Sequence, residues 1–220
     1  MKINKHAALV ILSGGQDSTT ALYWARKKFK LVEAITFDYG QRHKREISCA
    51  RKIAVLAKIE HKVIKLNFFK ELSSNSLVTE NIIKVNKNNN LPSTFVPGRN
   101  LIFVNIAAAY AYEQGIPNLV LGVSQVDYSG YPDCREQTIK SLGKTISLGM
   151  EFNVKIYTPL IHKTKKETVE LAQELGIVEV LKYTHTCYLG KKDPCGKCPA
   201  CLLRAKGFKD AEVKDPLLIG

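Results

Sequence analysis

Apolar positions along the chain alternate between two rhythms from its first residues onward. Ala7-Ala8-Leu9-Val10-Ile11-Leu12 is an apolar run of strand length. A glycine-bearing turn follows, then helical spacing through Ala21, Leu22, Trp24 and Ala25. Residues 31–37 read as a second strand, ending at the turn Asp38-Tyr39-Gly40. Residues 41–58 read as a helix with apolar positions Ile47, Ala50, Ile53, Ala54 and Ala57, and residues 61–66 as a third strand. Further on, the spacing predicts a strongly apolar helix over 101–113, strands over 119–123 and 154–160, and a helix over 163–175 that stops at Gly176. Strands alternating with helices predict an α/β fold: a doubly wound parallel sheet, covered on both faces, with ligands beyond the carboxyl ends of the strands. Residues 67–90 break the rhythm. They are polar, end in Asn86-Lys87-Asn88-Asn89-Asn90, and read as a mobile excursion or lid.

Composition narrows the class without changing this picture. The chain has 220 residues, 45% hydrophobic and 24% charged, enough for one substantial α/β domain with a small appendage. The expected division is a catalytic domain over 1–180 and a C-terminal segment over 181–220. No apolar run approaches the roughly 18 residues that would span a bilayer. The first residues lead directly into a strand with no signal-peptide pattern, so a cytoplasmic location is expected. Net charge is +13, concentrated in residues 1–110, which hold 18 basic and 7 acidic side chains. The basic positions are scattered, with neither a long arm nor an RNA-reading aromatic signature, so nucleic acid is not the expected partner. A highly phosphorylated small substrate suits the same charge.

Candidate chemistry begins at Ser13-Gly14-Gly15-Gln16-Asp17-Ser18, directly after the first strand. Two glycines permit φ > 0 and inward-turned N–H groups, and a helix starting after Ser18 would add the positive end of its dipole. Hydroxyls of Ser13, Ser18 and Thr19 can add donors, giving a concave anion site. Asp17 does not suit a pure anion cradle, but a carboxylate beside bound phosphates suits Mg²⁺, which seeks oxygen and bridges phosphates. The alternative is a strand-to-helix turn whose polar residues only cap the helix.

Three other stretches carry candidates. Arg99 follows the rigid Pro97-Gly98 turn, where its guanidinium fork suits phosphate or merely decorates a helix cap. The loop from Ser124 to Glu136 follows a strand and is dense in groups that hydrogen-bond or stack. There Asp127 or Asp133 could accept from a guanine-like N–H edge, and Tyr128 or Tyr131 could stack on a ring. An ordinary polar turn explains the same residues. Within it, Cys134 suits packing or binding more than nucleophilic attack, and Cys49 lies on an apolar helical stripe. His43, a candidate general base, also suits a structural role at a helix start. Cys187, Cys195, Cys198 and Cys201 have the spacing C-x7-C-x2-C-x2-C. Overlapping C-x-x-C turns can bring four thiolates to one tetrahedral ion, which favours structural Zn²⁺ over an iron–sulfur cluster. Such a closed site serves folding of the tail, not chemistry.

Ser13–Ser18 resembles the S-G-G-x-D-S signature of the PP-loop ATP pyrophosphatases, which cleave ATP between its α- and β-phosphates. That resemblance implies a Rossmann-like fold of the adenine nucleotide alpha hydrolase type. A wider match covers Ser13 to Thr20, Gln41 to Lys44, Pro92 to Asn100, Ser129 to Arg135 and the cysteine cluster. In these stretches the sequence is similar to the 7-cyano-7-deazaguanine (preQ0) synthases of queuosine biosynthesis. The resemblance implies an ATP-dependent ligase joining 7-carboxy-7-deazaguanine and ammonia through adenylation of carboxylate and then amide, with AMP and pyrophosphate released.

It also implies site residues and a homodimer. Leu12, Ser13, Gly14, Gly15, Gln16, Asp17, Ser18, Thr19, Thr20, Ala21 and Leu22 would surround ATP, with Asp17 and Ser18 closest to the chemistry and Asp17 supporting Mg²⁺. Arg99 would meet phosphate, and so would Lys165, which matches a lysine at this point in related enzymes. Tyr131, Asp133, Asp127 and Arg135 would hold the deazaguanine. Two other readings stay open. A PP-loop tRNA-modifying enzyme, a thiolation enzyme or lysidine-type ligase, would share the phosphate loop and use the basic charge for tRNA. A non-catalytic zinc module binding nucleic acid would leave Ser13–Ser18 without a purpose.

Overall fold

In the computed structural model, residues 2–41, 45–72, 95–126, 131–190 and 193–218 are described. Five strands form one parallel sheet: β1 (Ala7–Ile11), β2 (Leu31–Asp38), β3 (Glu60–Lys65), β4 (Asn118–Leu121) and β5 (Lys155–Tyr157). Their order is β3-β2-β1-β4-β5, so chain growth reverses direction between β1 and β4. The register aligns Ile11 with both Ile35 and Leu121. This arrangement creates a crevice at the carboxyl ends of β1 and β4, where doubly wound sheets hold their ligands.

Side-chain alternation explains why both faces are covered. On β1, Ala7 and Leu9 join one core with Ile35, Phe37, Leu119 and Leu121; Ala8 and Val10 join the other with Val32, Ala34 and Val120. The second face is covered by α1 (Gln16–Lys28), through Ala21, Leu22 and Ala25, and by α2 (Arg45–Leu56), through Ala50, Ile53 and Ala54. The first face is covered by a short α3 (Phe69–Leu72), by α4 (Arg99–Glu113) and by α5 (Glu136–Gly149). Leu9 is wholly buried, and its truncation to alanine would cost about 2–5 kcal/mol.

The excursion expected over 67–90 begins differently. Phe69 is buried and its ring lies 5.6 Å from Tyr39 and 5.7 Å from Phe103, so the start of this stretch is anchored in the core. Residues 73–94 lie outside the described residues, as do Arg42, His43 and Lys44. Two predicted strands are shorter than their apolar runs. β4 ends at Leu121 because the following backbone serves the crevice, and β5 holds only Lys155–Tyr157.

The C-terminal part packs on this frame through α6 (Lys165–Glu174) and α7 (Pro199–Asp210). Thr164 caps α6 in a reciprocal capping box with Glu167, so that helix starts two residues later than its apolar spacing suggests. Phe208 of α7 shares a small core with Val169, Ala172, Ile177 and Leu181. Buried Arg204 binds Asp215 in a two-pronged pair at 2.6 and 2.8 Å and donates to Thr184 and to the Leu181 carbonyl. No helix among the described residues is long and apolar enough to cross a membrane.

Candidate active site and metal centre

The turn after β1 is built by one glycine in the left-handed region, not two. Gly14 has φ +86°, whereas Gly15 is extended at φ −83° and serves as the N-cap of α1. The helix therefore begins at Gln16, so Asp17 and Ser18 stand inside its first turn rather than ahead of it. No side chain among the described residues caps this helix. Its first N–H groups face the crevice end of the molecule with the positive end of the dipole behind them.

Contacts on three sides hold the turn in place. The Ser13 and Ser18 hydroxyls lie 3.0 Å apart, and Ser18 Oγ also accepts from the Ser13 N–H at 3.2 Å. A Cβ on Gly14 would collide with the Glu46 carbonyl of α2 and lie 2.9 Å from the Ala50 nitrogen. A Cβ on Gly122, after β4, would lie 2.7 Å from the Ser18 nitrogen. Both glycines are what permit helix backbones to approach this closely. Thr19 and Thr20 turn away, their hydroxyls donating to the Gly15 and Gln16 carbonyls, and Ala21 and Leu22 are core residues. These four residues build the helix under the loop and do not line the crevice.

The crevice encloses about 300 Å³. Leu12, Ser13, Asp17 and Ser18 line it from the loop; Thr36, Phe37, Tyr39 and Gln41 from the end of β2; and Gly122, Val123 and Ser124 from beyond β4. Lys165 Nζ donates to Asp17 Oδ2 at 2.5 Å across the first turn of α1. The other carboxylate oxygen, Oδ1, and the Gln16 amide nitrogen are buried and have no hydrogen-bond partner among the described residues. An orphaned carboxylate oxygen beside an uncapped helix N-terminus fits a site that accepts phosphates together with a divalent cation.

Arg99 opens α4 and lines the opposite wall, its Nη1 donating to the Tyr39 hydroxyl at 3.3 Å. Burial opposes its charge, but Tyr39, Tyr131, Asp133 and Cys134 outweigh that and hold its pKa above the usual arginine value. Tyr131 lines the crevice with its ring 5.5 Å from Phe95. Asp133 is placed otherwise. It is buried, with Oδ2 accepting from the Asn100 N–H at 3.0 Å, and so satisfies the start of α4 instead of facing the crevice. Arg135 is exposed outside the crevice, and Asp127 lies outside the described residues.

The four cysteines converge. Sγ atoms of Cys187, Cys195, Cys198 and Cys201 all lie within 4.8 Å of one another, with Cys195 and Cys201 3.9 Å apart. A tetrahedral ion with bonds of about 2.3 Å places its sulfurs about 3.8 Å apart, so this donor set fits one metal ion. N–H groups of Lys197 and Cys198 donate to Cys195 Sγ at 3.5 and 3.3 Å and bring its thiol down to about 6, toward the ligating thiolate. Burial pushes the Cys201 thiol up. The segment also reaches the crevice. The His185 N–H donates to the Gly14 carbonyl at 2.9 Å, and Cys187 and Tyr188 line the cavity. Burial raises the Tyr188 hydroxyl pKa, and Tyr188 shares a hydrogen bond with Tyr131.

Several lining residues escaped the sequence reading: Glu46, Thr36, Asn100, Gly122 and Tyr188. Glu46 carried a usable signal. It lies four positions before Ala50 on the apolar stripe of α2, where a solvated acid has no reason to be.

Comparison with known proteins places the chain in a family. Residues 7–212 match the family described as queuosine biosynthesis protein QueC. The chain is 54% identical to the 7-cyano-7-deazaguanine synthase of Chromobacterium violaceum, over 96% of this chain and 92% of that protein. It is 51% identical to the synthase of the same name from Laribacter hongkongensis, over 96% and 93%. The corresponding protein of Clostridium botulinum is 48% identical, over 96% and 98%. Among solved structures, a 4-thiouridine synthetase in an RNA complex with bound ATP is similar at a TM-score of 0.55 and 20% identity, over 94% of this chain and 50% of that one. A predicted subunit of a tRNA methyltransferase from Methanocaldococcus jannaschii is similar at 0.52 and 21%, over 76% and 74%. Those two likenesses carry the fold alone. With nearly its whole length matched, the chain belongs to the QueC family of queuosine biosynthesis proteins.

Proposed function

We infer that the chain converts 7-carboxy-7-deazaguanine, ammonia and ATP into 7-cyano-7-deazaguanine. The observation that carries this reading is the first turn of α1. Among the described residues, a helix N-terminus with no side-chain cap, a buried carboxylate oxygen without a partner and a lysine at 2.5 Å converge on one crevice.

The chemistry assigns work to each part. A carboxylate is a poor electrophile because oxide leaves badly; AMP attached to that oxygen leaves easily. The backbone of Ser13, Gly14 and Gly15, with the Ser18 hydroxyl, supports the departing pyrophosphate, and Lys165 adds positive charge beside it. Asp17 would hold Mg²⁺ through its orphaned oxygen, and that ion would neutralise phosphate charge. Ammonia then displaces AMP to give the amide. A second adenylation, on the amide oxygen, permits elimination to the nitrile, so two ATP are used per turnover. Tyr131 supplies a stacking surface for the deazaguanine. Arg99 is placed for an anionic group of either substrate. Positioning and charge neutralisation supply the catalysis, and no covalent nucleophile is required.

Zn²⁺ is the ion best matched to the four thiolates, in a closed site that fixes the segment from His185 to Cys201 against the loop. The family resemblance supports a homodimer of the 24.6 kDa chain, working in a compartment that keeps thiols reduced. Mass spectrometry of the protein incubated with ATP, Mg²⁺, ammonium and 7-carboxy-7-deazaguanine tests the function, beside an Asp17→Ala control. The expected result is nitrile and AMP with the native chain and neither with the control. Folded, metal-replete protein that yields no nitrile would refute the reading.

A further inference from the structure

Amide and nitrile formation both release protons from nitrogen. When ammonia attacks the acyl adenylate, the nitrogen gains a positive charge and must lose one proton as the C–O bond to AMP breaks, that electron pair leaving on the phosphate oxygen. Adenylation of the amide oxygen later leaves a nitrogen bearing two hydrogens and a positive charge. Loss of one proton gives the neutral imidate. Loss of the other lets its N–H electron pair form the second π bond of the nitrile as the second C–O bond breaks. Each step needs a base within reach of the proton on the reacting nitrogen.

The crevice offers few candidates among its described residues. Asp17 is engaged by Lys165, Arg99 is a cation, and burial raises the hydroxyls of Tyr39 and Tyr188. Cys134 Sγ accepts from the Asn100 amide at 3.3 Å. Glu46 remains. It stands in the first turn of α2, lines the crevice, and its backbone carbonyl abuts Gly14 of the phosphate loop. Its carboxylate faces Arg99 and Tyr39, which line the same crevice as Ser13, Asp17 and Ser18.

We propose that the Glu46 carboxylate accepts the nitrogen protons in the amide- and nitrile-forming steps, returning each to water between them. The inference rests on the synthase reading above. Its surroundings suit a base. Among the described residues, the facing groups are Arg99 from α4, Tyr39 from the end of β2 and Cys49 one turn along α2. Burial outweighs the Arg99 charge and pushes the Glu46 carboxyl up to about 7. A base of that strength is substantially ionised at neutral pH yet basic enough to take a proton, which is where general bases work best.

Single-turnover kinetics with Glu46→Gln test this, with the amide–AMP–nitrile sequence resolved by mass spectrometry. Pyrophosphate–ATP exchange that depends on 7-carboxy-7-deazaguanine reports the first adenylation separately. Glutamine keeps the shape and removes the base. The expected result is an exchange rate within about threefold of native, while nitrile formation falls about 10²-fold or more. The native rise in rate through pH 7 should vanish in the variant, and Glu46→Asp should restore part of the rate. Equal loss of exchange and nitrile formation, or a raised KM for the deazaguanine alone, would overturn the proposal in favour of substrate binding. An unchanged nitrile rate with the native pH profile would overturn it too. Failure of the native chain to make nitrile would instead sink the synthase reading, so the two failures are distinguishable.

Discussion

Replacing Gly14 by alanine should damage the phosphate loop more than the same change at Gly98, although both glycines have positive φ. Gly98 precedes α4 with φ +70° and has no atom of the described residues within 4 Å of where a Cβ would stand. There the substitution costs only the left-handed conformation, about 1 kcal/mol. At Gly14, φ is +86° and the added Cβ would overlap the Glu46 carbonyl and sit 2.9 Å from the Ala50 nitrogen. Both atoms belong to helix backbone, which cannot rotate aside as a side chain can. To restore a separation of about 3.5 Å, α2 would have to retreat by roughly an ångström. Overpacking of that kind costs about 1–3 kcal/mol, so Gly14→Ala should lose about 2–4 kcal/mol in all. For a chain of this size, calorimetry should find Tm lower by about 2–4 °C at Gly98 and about 5–15 °C at Gly14. Movement of α2 also disturbs the phosphate loop and the His185 bond to the Gly14 carbonyl, so ATP-dependent pyrophosphate release should fail at Gly14 and survive at Gly98. Equal stability losses at the two positions would show that α2 does not press on the loop.

Three further outcomes follow from buried groups. Arg204→Met should cost about 3–5 kcal/mol in urea unfolding, because it leaves the Asp215 carboxylate buried without its partner; a loss under about 1 kcal/mol would refute that. If the four cysteines hold an ion, its chelation should weaken ATP binding as well as loosen the tail, since His185 and Tyr188 belong to the same segment as Cys187; calorimetric titration showing native ATP affinity in metal-free protein would separate the two. Glu46 should make stability fall as pH rises. Its folded carboxyl is raised from 4.5 to about 7, so its contribution is complete below 4.5 and is lost through about 7. The stability of the native chain relative to Glu46→Gln should therefore decline by up to about 3 kcal/mol between pH 4.5 and 8, and a pH-independent difference would contradict the assignment.

What the sequence disclosed, and what it hid, follows from how far apart the cooperating residues lie. Ser13 to Ser18 and the four cysteines cooperate with near neighbours in the chain, so their chemistry is visible as spacing. The local conformation still decided details: an extended Gly15 caps α1, which moves Asp17 into the first turn and turns Thr19 and Thr20 into the core. The Asp17–Lys165 pair joins residues 148 positions apart, and no periodicity reports which lysine of a basic cluster will reach the first turn of α1. Asp133 shows a second contact hidden from the sequence. An acid in a polar loop suggests a ligand, yet the start of α4 needs an acceptor for the Asn100 N–H, and Asp133 supplies it.

The cysteine segment changes meaning most once the contacts are known. From spacing alone it is a staple for a tail with little core. In the fold, the His185 N–H holds the Gly14 carbonyl, Cys187 forms cavity wall, and Tyr188 bonds Tyr131 across the crevice. A loop that must turn at Gly14 in the left-handed region, with α2 close behind it, is stable only if its carbonyl is also satisfied on the open side. The metal segment provides that donor, so the ion would act on catalysis through the geometry of the phosphate loop while standing outside the reaction itself.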